Sequence, residues 1–174
     1  MSLRTFGLYT AVLIAMIGLT ACASVDRIAE LQVGSSTDAD ATKAAGRKPV
    51  FIWNNTDGTR TLDYSNQPLG GTTSWFVTVD ASGKILRKQR IEVDPYNNGV
   101  AVGMDTDQVR RMLGSPRGVA NYPISGDEVW EWNTDTTGGP GEYIRFNVYF
   151  RSGKVTRTMT RTINRGECSS NMSC

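Results

Sequence analysis

The feature that most constrains this chain is that it matches itself when offset by about 69 residues. Leu31-Gln32-Val33-Gly34 faces Val100-Ala101-Val102-Gly103, and Val50-Phe51-Ile52-Trp53 faces Val119-Ala120-Asn121-Tyr122. Leu62-Asp63-Tyr64 faces Trp130-Glu131-Trp132, and Asp80-Ala81-Ser82-Gly83-Lys84-Ile85 faces Phe150-Arg151-Ser152-Gly153-Lys154-Val155. Four blocks in one order read as a tandem duplication, with units at 31–95 and 96–165. A unit of this size buries only about 60% of its unfolded surface, so the two are expected to pack as one body.

The second unit carries the clearer pattern. Asp105 followed by Gln108 predicts a capping box, and Met104 with Val109 a hydrophobic staple. Val109, Met112 and Leu113 share one helical face, Gly114 stops the helix, and Pro116 prevents its resumption. Extended segments follow at 119–122, 128–133, 143–151 and 154–163, with turns at Ser125-Gly126-Asp127 and Ser152-Gly153. Ile144, Phe146, Val148 and Phe150 alternate with Arg145, Asn147 and Tyr149. The first unit is a weaker copy. Its helix, near 36–45, offers only alanines as apolar residues, so it is expected to bury little and to contribute less stability.

The first 21 residues read as an address. Arg4 begins a signal peptide whose apolar stretch is too short to cross a bilayer comfortably. It ends in Leu19-Thr20-Ala21-Cys22, a lipobox, so Cys22 is the expected acylated N-terminus. Acyl chains anchor by burying methylenes, and Ala23 in place of aspartate implies sorting to the outer membrane, facing the periplasm. Residues 22–30 are then a tether. The tail, 166–174, holds Cys168 and Cys174, either a disulfide in an oxidising compartment or two free thiols.

Much chemistry is excluded. The 174 residues include no histidine, which removes Ser-His-Asp and Cys-His catalysis and His-ligated metals. No Walker or dinucleotide fingerprint occurs. Asn54-Asn55-Thr56-Asp57-Gly58 would put Trp53 and Tyr64 where a calcium loop needs carboxylates, so a hairpin turn explains it better. Asp127, Glu128 and Glu131 could pair for acid–base work, but Glu131 points away from Glu128, and solvated strand residues are the plainer reading. Neither a catalytic residue, a metal nor a cofactor is expected. Formal net charge is +2, so no global field selects a partner such as nucleic acid.

Two features remain as candidates for binding. Trp130 and Trp132 on one strand face are either core or a stacking platform. Residues 143–166 carry six basic side chains, among them Arg145, Arg157 and Arg161, and no acid. That hairpin either contacts anionic headgroups or an acidic partner, or uses charge to keep an edge strand from aggregating.

Residues 102–109 (Val-Gly-Met-Asp-Thr-Asp-Gln-Val) and Met112-Leu113-Gly114-Ser115-Pro116, followed by 128–132 and a Gly153-centred hairpin, resemble the SmpA/OmlA family of small outer-membrane lipoproteins of the BamE type. The resemblance spans about residues 100–163, with a fainter copy at 31–91. It implies an α+β fold of two tandem repeats, each with one or two short helices packed on a three-stranded antiparallel sheet. Duplicated units of this kind also look like the β-lactamase-inhibitor protein architecture, two αβ modules sharing a concave sheet. The implied function is a non-catalytic scaffold or accessory factor in outer-membrane protein assembly and envelope integrity. The alternative is a lipid-tethered module that binds or inhibits a periplasmic enzyme.

Overall fold

The computed structural model describes residues 24–67 and 73–164; the expected signal peptide, Cys22, Arg165, Cys168 and Cys174 lie outside them. The chain is α+β. It runs from a 3-10 helix, Val25–Glu30, through α1 (Asp38–Ala45), β1 (Phe51–Asn54), β2 (Arg60–Asn66), β3 (Thr73–Val79) and β4 (Ile85–Ile91). It continues as α2 (Thr106–Leu113), β5 (Gly118–Tyr122), β6 (Asp127–Thr137), β7 (Glu142–Arg151) and β8 (Lys154–Asn164). Each half forms a separate antiparallel sheet, in the orders β1-β2-β3-β4 and β5-β6-β7-β8. The expected three-stranded sheets are thus four-stranded. The segment after each helix is the fourth strand: β1 and β5 pair along an edge of β2 and β6, closed by turns whose Gly58 and Gly126 adopt φ of 82° and 72°.

The two halves match in register. Leu62 faces Val77 and Tyr64 faces Trp75, as Trp130 faces Val148 and Trp132 faces Phe146. A bulge precedes Val79 in one sheet and Phe150 in the other, after which Ile85 and Val155 pair with them. Both helices begin on a capping box, Thr37 with Asp40 and Asp105 with Gln108. The amides of Gly34 and Gly103 donate to the carbonyls of Ile85 and Val155, fastening each pre-helix turn to its last strand. One alignment slips. Ile52 sits opposite Leu62 as Val119 sits opposite Trp130, so β1 matches β5 two residues away from the alignment read in sequence. A two-residue slip preserves which face a side chain occupies, so the apolar pattern hid it.

Each sheet packs its front on its own helix. In the first unit Leu62, Tyr64, Val77, Val79 and Ile85 meet Ala41 and Ala45 of α1, with Val25 and Ile28. Those last two residues correct the expected tether: at 3% and 0% exposure they fill the space that a helix of alanines leaves. Lys88 holds the 3-10 helix by its C-terminal end, donating to the carbonyls of Ile28 (3.2 Å), Ala29 and Leu31 (2.7 Å), where a cation complements the helix dipole. In the second unit Val109 and Leu113 of α2 meet Trp130, Trp132, Phe146, Val148 and Phe150.

Candidate binding surface

The two sheet backs have different fates. The first receives α2, which therefore touches both sheets. Trp53 donates through Nε1 to Asp107 at 2.6 Å, and the Arg111 guanidinium lies 4.9 Å from the Trp53 ring centroid. Arg110 lies 4.5 Å from the Phe51 ring and 4.6 Å from the Trp130 ring. Just past α2, Ser115 donates to one oxygen of Asp63 through its amide (2.8 Å) and its hydroxyl (2.7 Å), while Ser65 donates to the other at 2.6 Å. Gln67 donates to the Ser115 carbonyl at 2.7 Å and accepts from the Asn133 amide at 2.8 Å.

This seam sets two carboxyls apart. Burial pushes the Asp63 carboxyl above the ordinary carboxylate range, outweighing its hydrogen bonds from Ser65 and Ser115. Burial also opposes ionisation of Asp107. There the hydrogen bonds from Arg111 and Trp53, with the charges of Arg111 and Arg110, win and hold it below that range. Gly114 takes φ 75°, and a Cβ there would stand 2.6 Å from the Ser65 hydroxyl.

The second sheet's back carries the basic residues. Asn147 pairs with Glu131 on one side and Met159 on the other; Arg145 pairs with Asn133 and Arg161; Tyr149 pairs with Val129 and Arg157. These residues form one face. Glu131 Oε1 accepts from Arg117 at 2.9 Å and from Arg145 at 3.0 Å. Arg157 stacks on Tyr149, 3.3 Å from its ring centroid, and Arg161 is exposed. Arg151 pairs with Asp127 at 2.8 Å.

The residues singled out in sequence separate on this frame. Arg157 and Arg161 share the outward face of β8, as the alternation predicts. Arg145 shares it by register but lies between Asn133 and Arg161 at only 5% exposure; it cannot present charge to a flat surface. Burial lowers its basicity, Glu131 raises it, and Arg117 and Arg161 lower it further. Its Nε and Nη2 have no hydrogen-bond partner. Trp130 and Trp132 are buried against α2, with Nε1 donating to Glu128 (2.6 Å) and to the Gly114 carbonyl (3.2 Å). They are core, and no stacking platform forms. The carboxylates of Asp127, Glu128 and Glu131 each hold a different partner.

Sequence reading missed Arg117. Its signal was available, since pairing the 118–122 segment with 127–131 brings it beside Glu131. The described residues also form two concavities. One of about 190 Å³ lies between α2 and the first sheet's back, lined by Trp53, Phe76, Arg87, Gln89 and Arg111. A groove of about 440 Å³ lies between α1 and β1, lined by Asp38, Thr42, Lys43, Ile52, Leu62 and Tyr64. Among the described residues, no group of three or more acidic or thiol side chains could hold a metal. No protein-family model matches the chain, and no curated protein matches it.

Proposed function

We propose that this protein is a lipid-anchored, periplasm-facing outer-membrane scaffold, an accessory factor in outer-membrane protein assembly and envelope integrity of the SmpA/OmlA kind, working by binding. The Leu19–Cys22 motif supports the anchor, and the 102–116 motif supports the family. The observation that carries the binding role is the back of the second sheet, where Arg117 and Arg145 share one carboxylate, Glu131, while Arg157 stacks on Tyr149 and Arg161 stands exposed opposite Arg145. A surplus of guanidinium on a rigid sheet suits recognition of carboxylate or phosphate groups.

The test is a cross-linked pull-down of the acylated protein from outer membranes. Recovery of barrel-assembly components supports the reading. Recovery of one soluble periplasmic enzyme shifts it to the inhibitor alternative. Intact-mass analysis tests the anchor separately: a mature chain beginning at acylated Cys22 is expected, and Cys22→Ser should leave an uncleaved precursor.

A further inference from the structure

Register matching lets one sheet back be compared with the other, position by position. Asp63 corresponds to Glu131, Ser74 to Arg145, Phe76 to Asn147 and Ile91 to Arg161. On the first sheet this face receives the end of α2, and its carboxylate accepts the helix-terminal Ser115. On the second sheet the first unit touches this face through Gln67, which bonds Asn133 at 2.8 and 3.2 Å beside Arg145 and away from Glu131, and the polarity is inverted. Glu131 is occupied by two guanidiniums of its own unit, and donors are left in surplus. Arg145 is over nine-tenths buried with two nitrogens unpartnered, although buried donors are nearly always paired.

Three occupants can be compared. A flat bilayer cannot reach the recessed Arg145. A second copy would have to offer α1, the counterpart of α2, but Asp38 is held by Arg60 at 2.8 Å and Asp40 by its own cap residue Thr37 at 2.9 Å, with Lys43, Arg47 and Lys48 exposed nearby. Both of its carboxylates are already engaged. A protein segment with projecting carboxylates has the sign, and it can approach the exposed Arg161 and the partly exposed Arg117 on either side of Arg145.

We propose that the back of the second sheet docks an acidic helical segment of a partner protein, one carboxylate entering among Arg117, Arg145 and Arg161. The proposal rests on reading this face as the binding surface, and not on where the protein resides. A failed pull-down with intact peptide binding would remove the scaffold reading and leave this one standing.

The experiment titrates the purified full-length chain against a fluorescein-labelled, helix-forming Glu–Ala peptide by anisotropy, with the Gln–Ala peptide as control. The Glu–Ala peptide should bind at least about tenfold tighter. Arg161→Glu, an exposed change on an edge strand, should weaken it by about tenfold without moving the melting curve. Glu131→Gln should strengthen it, because it releases two guanidiniums; a merely structural role for Glu131 would not do so. The Arg161→Glu comparison stands alone if Glu131→Gln unfolds. Equal affinity for the two peptides, or no effect of Arg161→Glu, overturns the proposal. So does displacement of the peptide by phosphatidylglycerol vesicles that themselves lose affinity for the Arg161→Glu variant, which would assign the face to a membrane.

Discussion

Asp63 and Asp107 lie on the same seam and titrate in opposite directions. Asp63 has its folded pKa raised. Its contribution to stability is therefore fully present below the unfolded carboxyl pKa and is lost as pH rises through the folded value. Asp107 has its folded pKa lowered, so its contribution is present above the unfolded value and lost as pH falls through the folded one. Asp63→Asn keeps an acceptor for Ser115 without the ionisation. Its melting temperature relative to the parent should therefore be more favourable at neutral pH than at pH near 4, and an equal difference at both would contradict the burial argument. Acidification should otherwise destabilise the protein through Asp107, and through Asp40, Asp57, Asp80 and Asp127. Hydrogen bonds to those four carboxylates hold their pKa values low. None of this was legible in the sequence, where Asp63 is one acid in an alternating strand; its burial comes from a helix 52 residues further on.

Elements were legible in proportion to how locally they are specified. α2 was readable because its capping box, its staple and its stop at Gly114 all lie within a dozen residues. The 3-10 helix was not, because two apolar residues three apart carry no periodicity and only the cavity above α1 explains them. That cavity changes the expected imbalance between the units. Leu113→Ala should cost about 2–5 kcal/mol as a core truncation. Ile28→Ala should fall in the same range, since Ile28 completes the other core. Ala44→Gly in α1 should cost at most about 1 kcal/mol, the propensity difference. Denaturant melts rank the three, and an Ile28→Ala loss no larger than that of Ala44→Gly would return residues 25–30 to a tether. At the end of α2, Gly114→Ala meets both a positive φ and the Ser65 hydroxyl, and should cost about 1–3 kcal/mol. Ser65→Ala in the same chain should relieve the contact but not the backbone, so the pair should be non-additive in a double-mutant cycle.

At the scale of the whole molecule, α2 is the member that both halves share. Its apolar face belongs to the second core, and its Asp107, Arg110 and Arg111 belong to the seam with the first sheet. The units should therefore unfold together. Calorimetric and van't Hoff enthalpies should agree, and Leu113→Ala should lower one transition without splitting it. Two resolved transitions would show that the seam is too weak to couple the halves. Chain topology was foreseeable from the repeat, whereas this docking was not. A helix predicted from its apolar stripe gives no hint that its charged stripe, with Asp107 and Arg111 still half exposed, leans on a second sheet.

The placement of α2 also explains why the two halves look so unequal. Counting from the caps, Asp107, Arg110 and Arg111 occupy the places that Ala39, Thr42 and Lys43 occupy in α1. The α2 trio must answer to the sheet it leans on, so substitutions there are constrained from two directions. The α1 trio lines an open groove, where Thr42 bonds the Tyr64 hydroxyl of its own unit at 2.9 Å. A helix that serves one sheet tolerates more exchange on its outer face than a helix that serves two. Substitutions at Ala39 or Lys43 should therefore pass where those at Asp107 or Arg111 would be felt on both sides of the seam.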